Sequence, residues 1–385
     1  MIIISLLIPT LLAISIEKQN IQIIQTTANK GEEDQTEALS RTSYDNSSAN
    51  DLKPQYTLKA TQSNTQYYLT RWTSNSTHYE SKFISIKLSI GPVESVAIAD
   101  VDGDGYYELI GAHGYWIRVD KYNLTSGNAT FMWERSIECN AKLVETADFD
   151  NDGKPDIAYM GTSVIGILNG TGYKLWEITR PFTAMKVYDI DGDALPEIVA
   201  GDKYGKIYLI QHDGTYQTIF TLDSSVKIIE IADITGDSSP EIIVATQNKL
   251  YATTTTTILW SVNVTSFDLA VGDIDNDDAT EILVGGQDFI KSLNDAGLEE
   301  WNVPSNNTHL SVRDIDNDGQ IEFVISNGSD VILYRGYNNT LWRAGLEGLI
   351  QELFIDQVDA DLNFEIIILT GNTIYVLNAV SYTHL

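Results

Sequence analysis

The segment Asp100-Val101-Asp102-Gly103-Asp104-Gly105-Tyr106-Tyr107-Glu108 has the spacing of a cation loop. Carboxylates stand at its first, third, fifth and ninth positions, with glycine at the sixth. Side chains at alternate positions of a tightly turning chain point at one centre. Calcium gathers about six to eight hard oxygens in a flexible shell of this kind. Glycine at position six permits the positive φ that aims the next carbonyl inward. Glu108 closes the shell as the chain enters its next strand, so Ca²⁺ is the expected ligand.

The same nine-residue pattern occurs seven times. The second copy offers Asp148, Asp150, Asp152 and Asp156, and the third offers Asp189, Asp191, Asp193 and Glu197. The fourth offers Asp233, Asp237 and Glu241, and the fifth Asp273, Asp275, Asp277 and Glu281. The sixth offers Asp314, Asp316, Asp318 and Glu322, and the seventh Asp359, Asp361 and Glu365. Successive copies start 48, 41, 44, 40, 41 and 43 residues apart. A period near forty means one supersecondary unit repeated along the chain.

Each unit places its loop in the same way. A short strand such as Ser95–Ala99 leads in, and a β-branched run such as Ile242-Ile-Val-Ala245 leads out. A third strand follows a Gly/Asn turn, and a fourth carries Trp133, Trp176, Phe220, Trp260, Trp301 or Trp342. Four short strands per unit, with no amphipathic helical stretch, define an all-β fold: a β-propeller of about seven four-stranded blades. The seventh unit stops after three strands, and Tyr79–Leu88 is expected to supply the fourth beside Leu377. Residues 381–385 break the repeat, as a truncation or sequence-assembly artefact would. Eight blades, or a following domain, are the alternatives.

The 385 residues carry a formal charge of −30, which argues against nucleic acid as a partner. The loops hold 26 of the 54 carboxylates at ligand positions, and seven divalent ions would bring the charge to −16. The single cysteine, Cys139, excludes an internal disulfide framework and reads as a small core residue. Residues 2–16 form an apolar run too short to cross a bilayer comfortably. They read as a secretory signal, with an uncleaved N-terminal anchor as the alternative. Residues 17–77 are rich in Ser, Thr, Asn and Gln and read as a polar flexible spacer before the propeller at 78–380. Nine Asn-x-Ser/Thr acceptors, at Asn46, Asn75, Asn123, Asn128, Asn169, Asn263, Asn306, Asn327 and Asn338, point to an extracellular face.

The Asp-x-Asp-x-Asp-Gly-x-x-Asp/Glu loop between a small-residue strand and an Ile-Val-Gly strand resembles the FG-GAP/VCBS repeats of integrin α-chain-type propellers. The resemblance covers about residues 78–380. It implies structural Ca²⁺ at positions one, three, five and nine of each loop, with ligands bound elsewhere on a propeller face. Thr235 and Gln357 depart from it by replacing a carboxylate. Ala194, Ser238, Asp278 and Leu362 depart from it by replacing the glycine. The loops starting at 100, 148 and 314 keep every feature and are expected to hold calcium best. Asn169–Trp176 and Leu293–Trp301 are similar to the tryptophan-docking turns of quinoprotein-type propellers, which implies blade-to-blade packing and no quinone.

Two classes of function follow. One is a secreted or cell-surface, non-enzymatic adhesion or binding module for a protein or glycan, touching a membrane only through an N-terminal or further C-terminal anchor. The other is a calcium-dependent polysaccharide lyase or hydrolase. An enzyme calls for a non-repeated cluster of Lys, Arg or His with carboxylates. Arg118, Lys121, Arg135, Lys154, Lys186, Lys203, Lys206 and Arg313 look scattered, and the five histidines fall in different units. The binding module is the preferred reading.

Overall fold

The computed structural model describes, with side chains, residues 93–121, 129–305, 309–336, 339–346, 348–358, 364–371 and 373–377. Of the residues before 88 it describes strand backbone only. Every element among the described residues is a β-strand, and the chain divides into two units at Asp51/Leu52. In the first unit, Ile4–Ser5, Leu12–Glu17 and Asn20–Gln25 form a three-stranded antiparallel sheet.

The second unit is a seven-bladed β-propeller. Blade 1 consists of Ser95–Ala99, Glu108–His113, Trp116–Asn123 and Asn128–Ser136, hydrogen-bonded in chain order. Blades 2 to 6 repeat this order. The first strands of blades 2 to 7 are Ala141–Ala147, Phe182–Tyr188, Val226–Ala232, Asp268–Gly272, Leu310–Arg313 and Glu352–Asp356. First strands of successive blades are neighbours, and together they line a central cavity of about 980 Å³.

Second strands such as Asp156–Gly161, Glu241–Thr246 and Glu365–Thr370 are buried along their whole length. They are β-branched on both faces because each face packs against a neighbouring blade. Seven buried clusters result, each drawn mainly from two adjacent blades. One of them joins Val96, Ile98 and Leu109 of blade 1 to Ile367, Leu369 and Ile374 of blade 7. Cys139 is buried in the cluster between blades 1 and 2.

The expected closure is present. Thr77–Lys87 pairs with Thr373–Asn378, with Phe83 opposite Leu377, so the last blade takes its fourth strand from ahead of the first. The stretch expected as a spacer differs from that reading where it is described. Thr65–Ser74 and Tyr56–Gln62 are strands that extend this sheet to six. Segments such as Gln66-Tyr-Tyr-Leu-Thr-Arg-Trp72 are rich in β-formers, and pairing with a neighbouring strand overrides their polar composition. Residues 26–55 of the expected spacer and the tail 381–385 lie outside the described residues.

Candidate metal centre

Each nine-residue loop bridges the first and second strands of its blade. Position one follows the first strand directly, and position nine is the first residue of the second, as Asp100 and Glu108 are in blade 1. Position two is a buried apolar anchor in all seven copies: Val101, Phe149, Ile190, Ile234, Ile274, Ile315 and Val358. Its backbone N–H donates to the position-nine carboxylate at 2.9–3.2 Å in every blade. One oxygen of the buried acid is thereby fixed, and the other is left to face the loop.

The aspartate at position one organises the turn. Asp100 Oδ1 accepts from Gly103 and Asp104 N–H at 2.8 and 3.0 Å, and its Oδ2 from Gly105 N–H at 2.8 Å. Asp189 binds Gly192, Asp193 and Ala194 in the same way. These contacts require left-handed backbone at position six, occupied by Gly105, Gly153 and Gly319 but also by Ala194, Ser238 and Asp278 at φ 71°, 70° and 70°. Position four is left-handed too, which explains why Gly103, Gly192 and Gly236 alternate there with Asn151, Asn276 and Asn317. That restriction was visible in the sequence as Gly or Asn at position four in six of the seven copies.

Positions one, three and nine converge. In the loops of blades 1, 2, 3, 5 and 6, one oxygen from each of these three residues lies within 4.8 Å of the other two. The sets are Asp100, Asp102, Glu108; Asp148, Asp150, Asp156; Asp189, Asp191, Glu197; Asp273, Asp275, Glu281; and Asp314, Asp316, Glu322. Position five stands outside these sets. Asp104, Asp152, Asp193, Asp237, Asp277 and Asp318 instead accept the N–H of position seven at 2.8–3.0 Å. In blade 4 the Thr235 hydroxyl donates to Glu241 Oε1 at 3.4 Å. Asp359 and Asp361 of blade 7 lie outside the described residues.

The position-nine acids sit where ionisation is hardest. Burial first, with the neighbouring aspartates adding to it, pushes Glu108, Asp156, Glu197, Glu281 and Glu322 up to about 7. The position-two N–H opposes the shift, and at Glu322 Arg335 opposes it as well. In blade 5 Glu300, from the fourth strand, is a further acid that raises Asp275 and Glu281. Sequence spacing did not reveal it. Glu197 is 0% exposed and its Oε1 has no hydrogen-bond partner. An oxygen-only donor set with an orphaned buried carboxylate oxygen fits a hard divalent cation.

A second constellation lies in the central cavity, where the scattered reading of the charged residues is corrected. Lys186 Nζ meets Glu230 Oε2 at 2.9 Å, and Asp268 stands 3.5 Å from His309 Nδ1, with Glu145, Arg313 and Glu352 also lining the wall. Glu145 Oε2 accepts Val187 N–H at 2.7 Å, and Asp268 Oδ2 accepts Leu310 N–H at 2.9 Å, each from one blade to the next. These carboxylates cover the free N–H edges of the inner strands. The cluster escaped sequence reading because residue type varies at its two repeated positions: Glu145, Lys186 and Glu230 stand three residues before their loops, and Asp268, His309 and Glu352 five before theirs.

Tryptophans lock neighbouring blades together. Trp133, Trp176 and Trp260 Nε1 donate to the carbonyls of Gly170, His212 and Asp295 in the following blade at 2.8, 2.8 and 2.6 Å. Their rings lie on Gly172, Gly214 and Gly297, where an added Cβ would come within 2.9–3.0 Å of ring atoms.

The chain thus belongs by fold to the seven-bladed propellers, with repeated acidic loops between the first two strands of its blades. It is similar to BBS1N in complex with ARL6DN, at a TM-score of 0.61 and 14% identity over 74% of this chain and 92% of that one. It is similar as well to the Neurospora crassa Pan2 WD40 domain, at 0.53 and 13% over 76% and 92%. BamB from Moraxella catarrhalis follows at 0.51 and 12% over 85% and 100%. Such identities show the fold alone. No family model matches the chain, and no curated protein matches it.

Proposed function

We propose that this chain is a secreted or cell-surface propeller, stiffened by calcium at its inter-strand loops, that acts as a non-enzymatic binding module for a protein ligand. The carrying observation is the convergence of three carboxylate oxygens within 4.8 Å at the same place in five blades. Without a cation, three like charges oppose the closed turn. A divalent ion removes that opposition and binds only the folded loop, adding stability by mass action. Extracellular calcium modules bind at about 10⁻⁴–10⁻³ M, so millimolar Ca²⁺ is the expected working range.

A binding role is supported by the fold and by the solved neighbour BBS1N, which is held in complex with ARL6DN. The inner-cavity carboxylates Glu145, Asp268 and Glu352 are engaged by backbone N–H groups of adjacent blades, which favours a scaffold role over catalysis. The test is the melting temperature in millimolar Ca²⁺ and after EDTA, with bound calcium measured by elemental analysis. A higher melting temperature with calcium bound supports the proposal. Equal melting temperatures with no bound calcium remove it.

A further inference from the structure

We infer that blades 1 and 6 supply their own cation, Lys121 and Arg335, and that these two side chains take the place of the divalent ion. The inference rests on the calcium reading above and departs from the sequence expectation that the loops starting at 100 and 314 hold calcium best. Lys121 Nζ lies 3.3 Å from Asp102 Oδ2 and 4.0 Å from Glu108 Oε1, and it also contacts Asp104. Arg335 places Nη2 2.9 Å from Asp316 Oδ2 and Nη1 3.0 Å from Asp318 Oδ2, while its Nε contacts Glu322 Oε1. One basic side chain thus reaches three acids of its loop in each blade.

Strand register produces this placement. Lys121 stands directly opposite Glu108, and Arg335 directly opposite Glu322, in the pairing of second and third strands. Asn378 holds the corresponding position opposite Glu365 in blade 7. One step beyond the pairs Ile157–Leu168, Ile198–Ile210, Ile242–Thr253 and Ile282–Leu293, the same position falls on Asn169, Gln211, Thr254 and Asn294. None of these is cationic. Asn169 and Asn294 turn their Oδ1 onto the N–H groups of Tyr173 and Leu298 instead. Among the described residues, no Lys, Arg or His forms an ion pair with the clusters of blades 2, 3 and 5.

Chemistry makes the two occupants exclusive. Calcium needs its oxygens at about 2.3–2.6 Å around a common centre. The Arg335 guanidinium within hydrogen-bond reach of Asp316 and Glu322, and the Lys121 ammonium 3.3 Å from Asp102 and 4.0 Å from Glu108, occupy the space an ion would need, and their charge repels a second cation. Blades 2, 3 and 5 keep an acid set with no basic side chain beside it among the described residues; the buried Oε1 of Glu197 there, like that of Glu108 in blade 1, has no hydrogen-bond donor.

The test counts bound calcium on the full chain after equilibrium dialysis, by elemental analysis. Lys121→Ala and Arg335→Ala should each gain one ion per chain, and Gln211→Lys should lose one. In EDTA both alanine variants should melt below the parent, and millimolar Ca²⁺ should close the gap. Lys121→Gln, which keeps most of the stem and removes charge, gives the same count should the alanine variant not fold. No gain in any folded variant of Lys121 or Arg335 overturns the inference. Parent protein without calcium overturns the preceding proposal, while the gain per variant still judges this one.

Discussion

Glu352 Oε2 accepts the backbone N–H of Val96 at 2.9 Å, joining the inner strand of blade 7 to that of blade 1 across 256 residues. Its other oxygen takes the Ser95 hydroxyl at 2.9 Å, and Ser95 Oγ in turn accepts Val144 N–H at 3.4 Å from blade 2. A single carboxylate therefore clasps three blades at the point where the ring closes. Glu352→Ala should cost about 1–3 kcal/mol, because it leaves that N–H without an acceptor in the cavity wall. Glu352→Gln retains an acceptor and should lose less. Urea denaturation of both variants checks the order, and equal losses would count against the clasp.

Left-handed backbone at position six gives a stabilising substitution. Ala194 holds φ 71° with its N–H bonded to Asp189 Oδ2 at 2.9 Å. Ala194→Gly relieves that conformation and should raise stability by up to about 1 kcal/mol after the added freedom of the unfolded chain is offset. The denaturation midpoint reads it directly.

Blade docking sets a third expectation. At Gly214, φ is 84° and a Cβ would lie 2.9 Å from Trp176 Cδ2. Gly214→Ala should destabilise by roughly 1–3 kcal/mol, through backbone strain and overpacking together. Thermal melting of the folded variant is the measurement.

The ion-free stability and the gain brought by calcium should change with pH in opposite directions. The position-nine acids are raised to about 7 in the ion-free fold against the usual 4.5 for the glutamates and 3.8 for Asp156, so the folded state holds more protons between those values. Their contribution to ion-free stability is full below the unfolded value and is lost as pH rises through about 7. In EDTA the melting temperature should therefore fall from pH 5 to pH 7.5. At Asp156, Glu197 and Glu281 calcium competes with those protons, so the gain it brings should grow over the same range. A gain that is flat across pH would exclude the buried acids as ligands.

Much of this molecule is legible along the chain. Seven copies of one loop at a period near forty give the blade count, and the order of strand, loop and β-branched run recurs because each unit buries its faces only against its neighbours. The third strand of blade 7 lacks a partner in its own unit, so the closing strand near Phe83 could be read from an unpaired sheet edge. The aspartates at positions one and three converge as their alternation requires.

Tertiary structure decided the rest, because charge pairing depends on distance in space. Position five spends one carboxylate oxygen on the turn, a choice fixed by backbone geometry that residue type alone does not encode. Glu145, Lys186, Asp268 and Glu352 meet only because seven inner strands converge on one cavity. Lys121 and Arg335 each lie thirteen residues after their position-nine acid, yet a hairpin's register is set by its turn. Until that register is known, a lysine and an arginine in a strand are ordinary surface charges; once it is, they are ion-paired to the acids of their own loops.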